Sequence, residues 1–155
     1  MTKTFIVGLI LVLVVLYCIA WAYLAFRTAS SEKSDHQKQF VTGHLPNPLP
    51  DGFYKGTMDG YKGEWKGKEF DQSAHTGINH FGDEKRHPFK TDTAKGLRDS
   101  AVGVFRIDYD VPQNPWWLRH LVDEVVEVSP GSYQGKIMIR WLGSAFTVGY
   151  FQLEK

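Results

Sequence analysis

Hydrophobic and polar positions divide the chain into three regions with different periods. From Phe5 to Phe26 the apolar run carries no charged residue. From Thr28 to His44 the sequence TASSEKSDHQKQFVTGH is polar with little apolar periodicity, and Pro46, Pro48 and Pro50 then alternate. From Phe53 onward apolar and polar residues alternate in short stretches, with the period of two that marks half-buried strands.

Three of these stretches predict strands with one charged face. Tyr61, Gly63, Trp65 and Gly67 share one parity, and Lys62, Glu64, Lys66 and Lys68 share the other. Phe105, Ile107, Tyr109 and Val111 oppose Arg106, Asp108 and Asp110, while Tyr133, Gly135, Ile137, Ile139 and Trp141 oppose Lys136, Met138 and Arg140. Val125–Val128 and Tyr133–Trp141 flank Ser-Pro-Gly-Ser, which predicts a hairpin. Phe53–Thr57 and Phe146–Leu153 complete the sheet, and the Gly52–Gly56 and Gly60–Gly63 segments read as paired strands. One helical signal interrupts it: Asn114-Pro115 supplies a cap and a first-turn proline, so Trp116–Val122 is expected to make two turns. The expected fold is mainly β, an antiparallel sheet of six to eight strands with one short helix. Curling into a barrel or half-barrel removes the exposed edges of such a sheet.

The apolar run predicts a single transmembrane helix. About 22 residues at 1.5 Å each reach about 33 Å, enough to cross a hydrocarbon core of about 30 Å. Tyr17, Trp21 and Tyr23 cluster toward the end that Arg27 closes, where aromatic rings favour the headgroup layer. Cleavage of a signal peptide, with Ala20 and Ala22 as the small residues before the cut, is the rival reading, but the apolar run continues past both. Cys18 follows Tyr17, which does not suit a lipoprotein site. Lys3 on one side and Arg27, Lys33 and Lys38 on the other leave the orientation open, with a slight lean toward an extracytoplasmic domain from the short N-terminal tail. The expected organisation is an anchor over residues 1–27, a polar and Pro-rich linker over 28–50 acting as an extended spacer, and a β domain over 51–155.

Charge and cysteine content narrow the function. The formal net charge is +1, and setting aside Lys3 and Arg27 leaves −1 for residues 28–155. Such a domain lacks the basic footprint of a nucleic-acid binder. Cys18 is the single cysteine, so neither an internal disulfide nor a Cys-based zinc site is expected.

Gly63-Glu64-Trp65-Lys66-Gly67-Lys68 followed by Phe70-Asp71 resembles the bacterial GXWXG domain family. His87-Pro88-Phe89, Tyr109-Asp110-Val111-Pro112, Arg119 with Asp123-Glu124, and the closing Tyr150–Lys155 extend the likeness over most of residues 60–155. The resemblance implies a small calycin-like (lipocalin-like) barrel and almost no chemistry. The related nitrobindin-like barrels also begin with Gly-x-Trp-x-Gly and bind haem through a histidine near their C-terminal end. Here no histidine follows His120, which argues against such ligation, and no cofactor is implied.

Candidate chemistry is sparse. Trp65 is expected to plug one end of the barrel, with an indole N–H that needs a partner. His75, His80 and His87 lie near Asp71, Asp83 and Glu84, but H-x₄-H-x₆-H matches no established metal motif. Asp108 and Asp110 sit on a solvated strand face; with Asp123 and Glu124 they form no evident acid–base pair, and no Gly-x-Ser-x-Gly elbow occurs. The pattern leans away from an enzyme. Adjacent Trp116 and Trp117 cannot both point inward, so one is free to rest on a bilayer, grip a partner or cover a barrel mouth. The expected function is a membrane-tethered module that binds a small apolar or amphipathic, lipid-like molecule through Trp65, Phe105, Tyr109, Trp117 and Trp141. The alternative is a non-catalytic assembly subunit of a membrane complex, with another membrane protein as partner.

Overall fold

The computed structural model describes residues 2–155, with side chains from Phe5 onward. Eight antiparallel strands close into a barrel in sequence order: β1 (Gly52–Thr57), β2 (Trp65–Asp71), β3 (Thr76–Phe81), β4 (Glu84–Lys95), β5 (Gly103–Asp108), β6 (Leu121–Ser129), β7 (Ser132–Trp141) and β8 (Ser144–Glu154). β8 pairs back onto β1 through Lys55–Glu154, Gly56–Leu153 and Thr57–Gln152, so no edge is left to recruit another strand. The mainly β, antiparallel barrel expected from the alternation is the fold observed.

Inside, Tyr54, Phe70, Phe89, Phe105, Ile107, Val125, Tyr133, Phe151 and Leu153 form one buried cluster. Aromatic rings fill most of the section: Phe70 lies 5.6 Å from the centroids of Tyr54, Phe89 and Phe105.

The apolar segment forms α1 (Thr2–Ser31), a helix of 30 residues whose span from Phe5 is long and apolar enough to cross a membrane. It extends beyond the apolar run, and its C-terminal half lies along β8 and the end of β7. Thr28 Oγ1 donates to the Thr147 carbonyl at 3.4 Å, and Arg27 donates to the carbonyl of Val148 at 3.2 Å. Trp21 meets Phe146 and Tyr17 meets Trp141, both edge to face.

Residues 28–50 do not form an extended spacer. After α1, Ser34 caps a second helix, α2 (Asp35–Thr42), by accepting from the Gln37 amide. Its Phe40 is fully buried with Val104 and Val126 on the outer face of the barrel. His44 and Glu127 then exchange backbone bonds of 3.1 and 2.8 Å, which ties the segment to β6. Phe40 seats on Val104 of β5 and Val126 of β6, and polar contacts complete the docking of the helix: His36 meets Gln134, and Gln37 donates to Asp99 and accepts from Tyr150.

That cover also changes the outer face of β7. Lys136, expected on a polar face, is fully buried: its Nζ lies 2.6 Å from Asp99 Oδ2 and 3.5 Å from Glu32 Oε1, and 5.1 Å over the Phe40 ring. Glu32 also pairs with Arg98. Burial raises the Glu32 carboxyl, but the Arg98 hydrogen bond and the nearby Lys136 outweigh it and hold the group below its ordinary value.

The predicted two-turn helix at 116–122 shrinks to a 3-10 turn at Leu118–His120. Leu121 and Val122 instead begin β6, pairing with Ile139 and Met138 on β7 and, for Val122, with Asp108 on β5. Asn114 does not cap it; its Nδ2 donates to the carbonyls of Pro88 and Tyr109. Residues 58–64 form the β1–β2 loop, so Gly60–Gly63 is not a strand, and β1 pairs with β2 from Gly67 onward.

Candidate functional site

The interior is solid except at one end, where a cavity of about 180 Å³ opens between the β1–β2, β3–β4 and β5–β6 loops. Its walls are largely apolar, with Met58, Tyr61, Trp65, Phe81, Leu118 and Ile137 among them. Its floor is polar, and consists of Lys68, Asn79, Tyr109 and Asp123.

Lys68 reaches this floor through a register shift. Trp65 pairs with Phe81 and Gly67 with His80, so Lys66 is an extra residue opposite no partner. A bulge of this kind reverses the parity that follows it. Trp65 and Lys68 therefore face the interior together, and Lys68 is 2% exposed rather than solvated. Gly67 permits the shift: its φ is +144°, and a Cβ there would lie 2.0 Å from the Tyr54 carbonyl oxygen. A second shift, between Ile78 and Asn79, leaves His87 of β4 without a partner on β3. His87 has φ +60°, uncommon for a residue with a side chain, and it lines the cavity. Burial and the neighbouring Arg86 hold its imidazole below the ordinary value.

The floor is one hydrogen-bonded network. Lys68 Nζ donates to Asn79 Oδ1 at 3.0 Å and to the Tyr109 hydroxyl at 2.5 Å, and lies 3.0 Å from Asp123 Oδ2. Tyr109 in turn donates to Asp123 Oδ2 at 3.2 Å. Asn79 Oδ1 also accepts from Trp65 Nε1 at 3.1 Å, which answers the expected need of the indole, and Asn79 Nδ2 donates to the His87 carbonyl. All three ammonium hydrogens of Lys68 have acceptors. The Phe151, Tyr109 and Phe89 rings stand 5.0–5.3 Å from its charge.

Asp123 has one oxygen without a partner. Its Oδ2 is shared by Lys68 and Tyr109, whereas Oδ1 is buried and unbonded, in a residue 2% exposed. A buried acceptor left open carries a desolvation cost unless something outside the chain meets it. Complete burial pushes the Asp123 carboxyl up and the Lys68 amine down, each against the pull of the other, and it raises the Tyr109 phenol strongly.

Of the five residues expected to bind ligand, the structure brings two together at the cavity, Trp65 and Tyr109. Phe105 is buried in the core deeper in the barrel. Trp117 (58% exposed) and Trp141 (39%) stand outside, on an outer rim groove with Trp116 and Leu142. His80 bonds Glu69 at 2.7 Å, and no cluster of His, Cys, Asp or Glu suited to a metal occurs among the described residues. Lys68, Asn79 and Asp123 were not singled out as ligand groups from the sequence. A partial signal exists for Asp123 alone, which holds the inward parity of Leu121 and Val125.

No family model and no curated protein matches the chain. A crystal structure of a protein from Thermomonospora curvata is similar in structure, with 14% identity and a TM-score of 0.47 over 73% of this chain and 79% of that one.

Proposed function

We propose that the protein is a membrane-anchored barrel that binds a small amphipathic molecule at its open end. The observation that carries this reading is the unpartnered, buried Oδ1 of Asp123, a residue that lines the open cavity. A hydroxyl, amine or amide of the ligand donates to it, and the apolar remainder lies against Trp65, Phe81, Leu118 and Ile137. A volume of about 180 Å³ is below the 300–1,000 Å³ of typical ligand pockets. It suits a short amphiphile or the polar end of a longer one, not a fully enclosed lipid. The GXWXG likeness around Trp65 is in keeping with a calycin-like barrel. Anchoring rests on α1, with the barrel held beside the bilayer.

Titrating the full chain in detergent with n-hexylamine and n-hexanol, while following Trp65 and Tyr109 by NMR, tests this. Saturable shifts confined to cavity residues, and abolished when Ile137→Phe fills the mouth, are expected. Absence of saturation, together with no small molecule released from protein purified with its native lipids, rules the reading out.

The solid lower barrel favours a second reading, an assembly subunit without ligand. Tyr54, Phe70, Phe89, Phe105 and Phe151 leave no through-cavity there. The same titration separates the two.

A further inference from the structure

The barrel has two ends, and α1 decides which of them faces its apolar half. Thr28 touches Thr147, Trp21 lies 6.1 Å from Phe146, and Tyr17 lies 5.9 Å from Trp141. Moving toward the N-terminus of α1 therefore moves along β8 and β7 toward their hairpin tip at Leu142-Gly143. This tip belongs to the same barrel end as the β1–β2, β3–β4 and β5–β6 loops, where the cavity opens.

That end is apolar on its outside. Trp116 is 76% exposed, Trp117 58% and Leu142 75%, and with Ile139 and Trp141 they form the apolar part of a groove of about 530 Å³ that His120 and Arg140 also line. Exposed apolar side chains that lie side by side, rather than scattered singly, point to an interaction surface. The groove continues onto Tyr17, through Trp141, and so onto the lipid-facing helix.

We propose that the open end of the barrel is itself a membrane-binding surface: Trp116, Trp117, Trp141 and Leu142 enter the interface of the bilayer that α1 crosses, and the cavity mouth opens onto that interface. This rests on α1 as a membrane span. Placing Trp21 at the hydrocarbon boundary leaves Phe5–Trp21 for the hydrocarbon core, about 17 residues and about 26 Å, the short end of the lengths that span a bilayer, with Lys3 in the far headgroup layer. Tyr17 is one helical turn deeper, so Trp141 beside it sits about 6 Å inside the boundary, within the depth that interfacial apolar faces reach. Tryptophan is the residue best suited to that layer. The apolar run of α1 is thus divided between lipid and protein, since Leu24 is buried and Trp21 and Thr28 pack on the barrel. A ligand of the floor reaches it from the headgroup layer without crossing bulk water.

The test uses the full chain in vesicles of phosphatidylcholine and phosphatidylglycerol. Leu142→Cys and, at the opposite barrel end, Ser73→Cys are each made in a Cys18→Ser background and labelled with an environment-sensitive fluorophore. The expected result is loss of the 142 emission with lipids carrying a nitroxide near the headgroup, and shielding of that label from aqueous iodide. The 73 label is expected to show the reverse. Retention after alkaline washing with a 142 label open to iodide overturns rim docking and leaves the anchor standing. A 142 label shielded from both quenchers overturns it in favour of self-association through the groove. Release of the chain by alkaline washing overturns the span and the docking together.

Discussion

Lys68 Nζ lies 3.0 Å from Asp123 Oδ2, and the two residues come from β2 and β6, opposite walls of the eight-stranded barrel. The pair is a strut across the interior at the level where the aromatic core ends. Both side chains are about 3% exposed. Below them the section is filled by rings, and above them it is open, so the strut is also the floor of the cavity.

Removing one partner of such a pair leaves an uncompensated buried charge. Lys68→Met is expected to destabilise the protein by about 3–5 kcal/mol, and Lys68→Met combined with Asp123→Leu by clearly less than the sum of the single changes. Denaturant unfolding of the four proteins measures this. Additive losses would show that the two groups do not interact.

Gly67 holds the bulge that brings Lys68 inside. Gly67→Ala forces a Cβ against the Tyr54 carbonyl at φ +144°. A loss of at least about 2 kcal/mol is expected, since strained backbone costs about 1–3 kcal/mol before the clash is added. Gly52→Ala, also at positive φ (+80°) but with nothing within 4 Å, is expected to cost less. Equal losses in thermal melts would mean that the close approach at Gly67 is absent.

Trp65 combines packing with a hydrogen bond. Its ring lies 5.7 Å from Phe151 and over Gly56, and its N–H serves Asn79. Trp65→Ala is expected to cost about 3 kcal/mol, the lower part of the range for large aromatic side chains, because one edge faces the cavity. A cost below about 1 kcal/mol in urea unfolding would place the ring outside the core.

His36 makes the attachment of α2 sensitive to pH. Its Nδ1 faces Gln134 Oε1 at 3.1 Å, its Nε2 faces Asp59 Oδ2 at 2.9 Å, and its ring stacks on Tyr150 at 5.7 Å. Gln134 Nε2 is engaged by the Gly135 and Phe151 carbonyls, so both ring nitrogens meet acceptors. Only the imidazolium donates to both. Burial lowers its pKa, but the bonds to Asp59 and Gln134 outweigh that and raise it above the ordinary 6.5. A raised folded-state value adds stability that is complete below the unfolded value and fades as pH rises through the folded one. The melting temperature is therefore expected to fall from about pH 6.5 upward in the native protein relative to His36→Gln. Parallel pH profiles would remove His36 from the linkage.

Much of the barrel was legible in alternation alone. Phe105, Ile107 and Tyr109 face inward against Arg106 and Asp108, as their period of two requires, and Asp108 lies on the outer face, where the structure pairs it through two bonds with Arg140. The Ser129-Pro130-Gly131-Ser132 turn joins β6 to β7, with Gly131 at φ +78°. The cavity floor was less accessible. In Gly63-Glu64-Trp65-Lys66-Gly67-Lys68 strict alternation assigns Lys68 to solvent, and nothing in the parity reveals that Lys66 will be extruded. The close approach of the Tyr54 carbonyl to Gly67 comes from the neighbouring strand β1, so the bulge is set by a pairing rather than by the segment that contains it.

By itself the sequence determined the apolar length of α1, the alternation of the strands and the turn residues between them, because these are local periods that any short window carries. Tertiary structure decided that Lys68 meets Asp123 across the barrel, that α2 sets Phe40 against Lys136, and that Trp141 lies beside Tyr17. Each of these is a contact between residues distant along the chain, created when eight strands closed into a ring and brought opposite walls, outer faces and the helix within a few ångströms of one another.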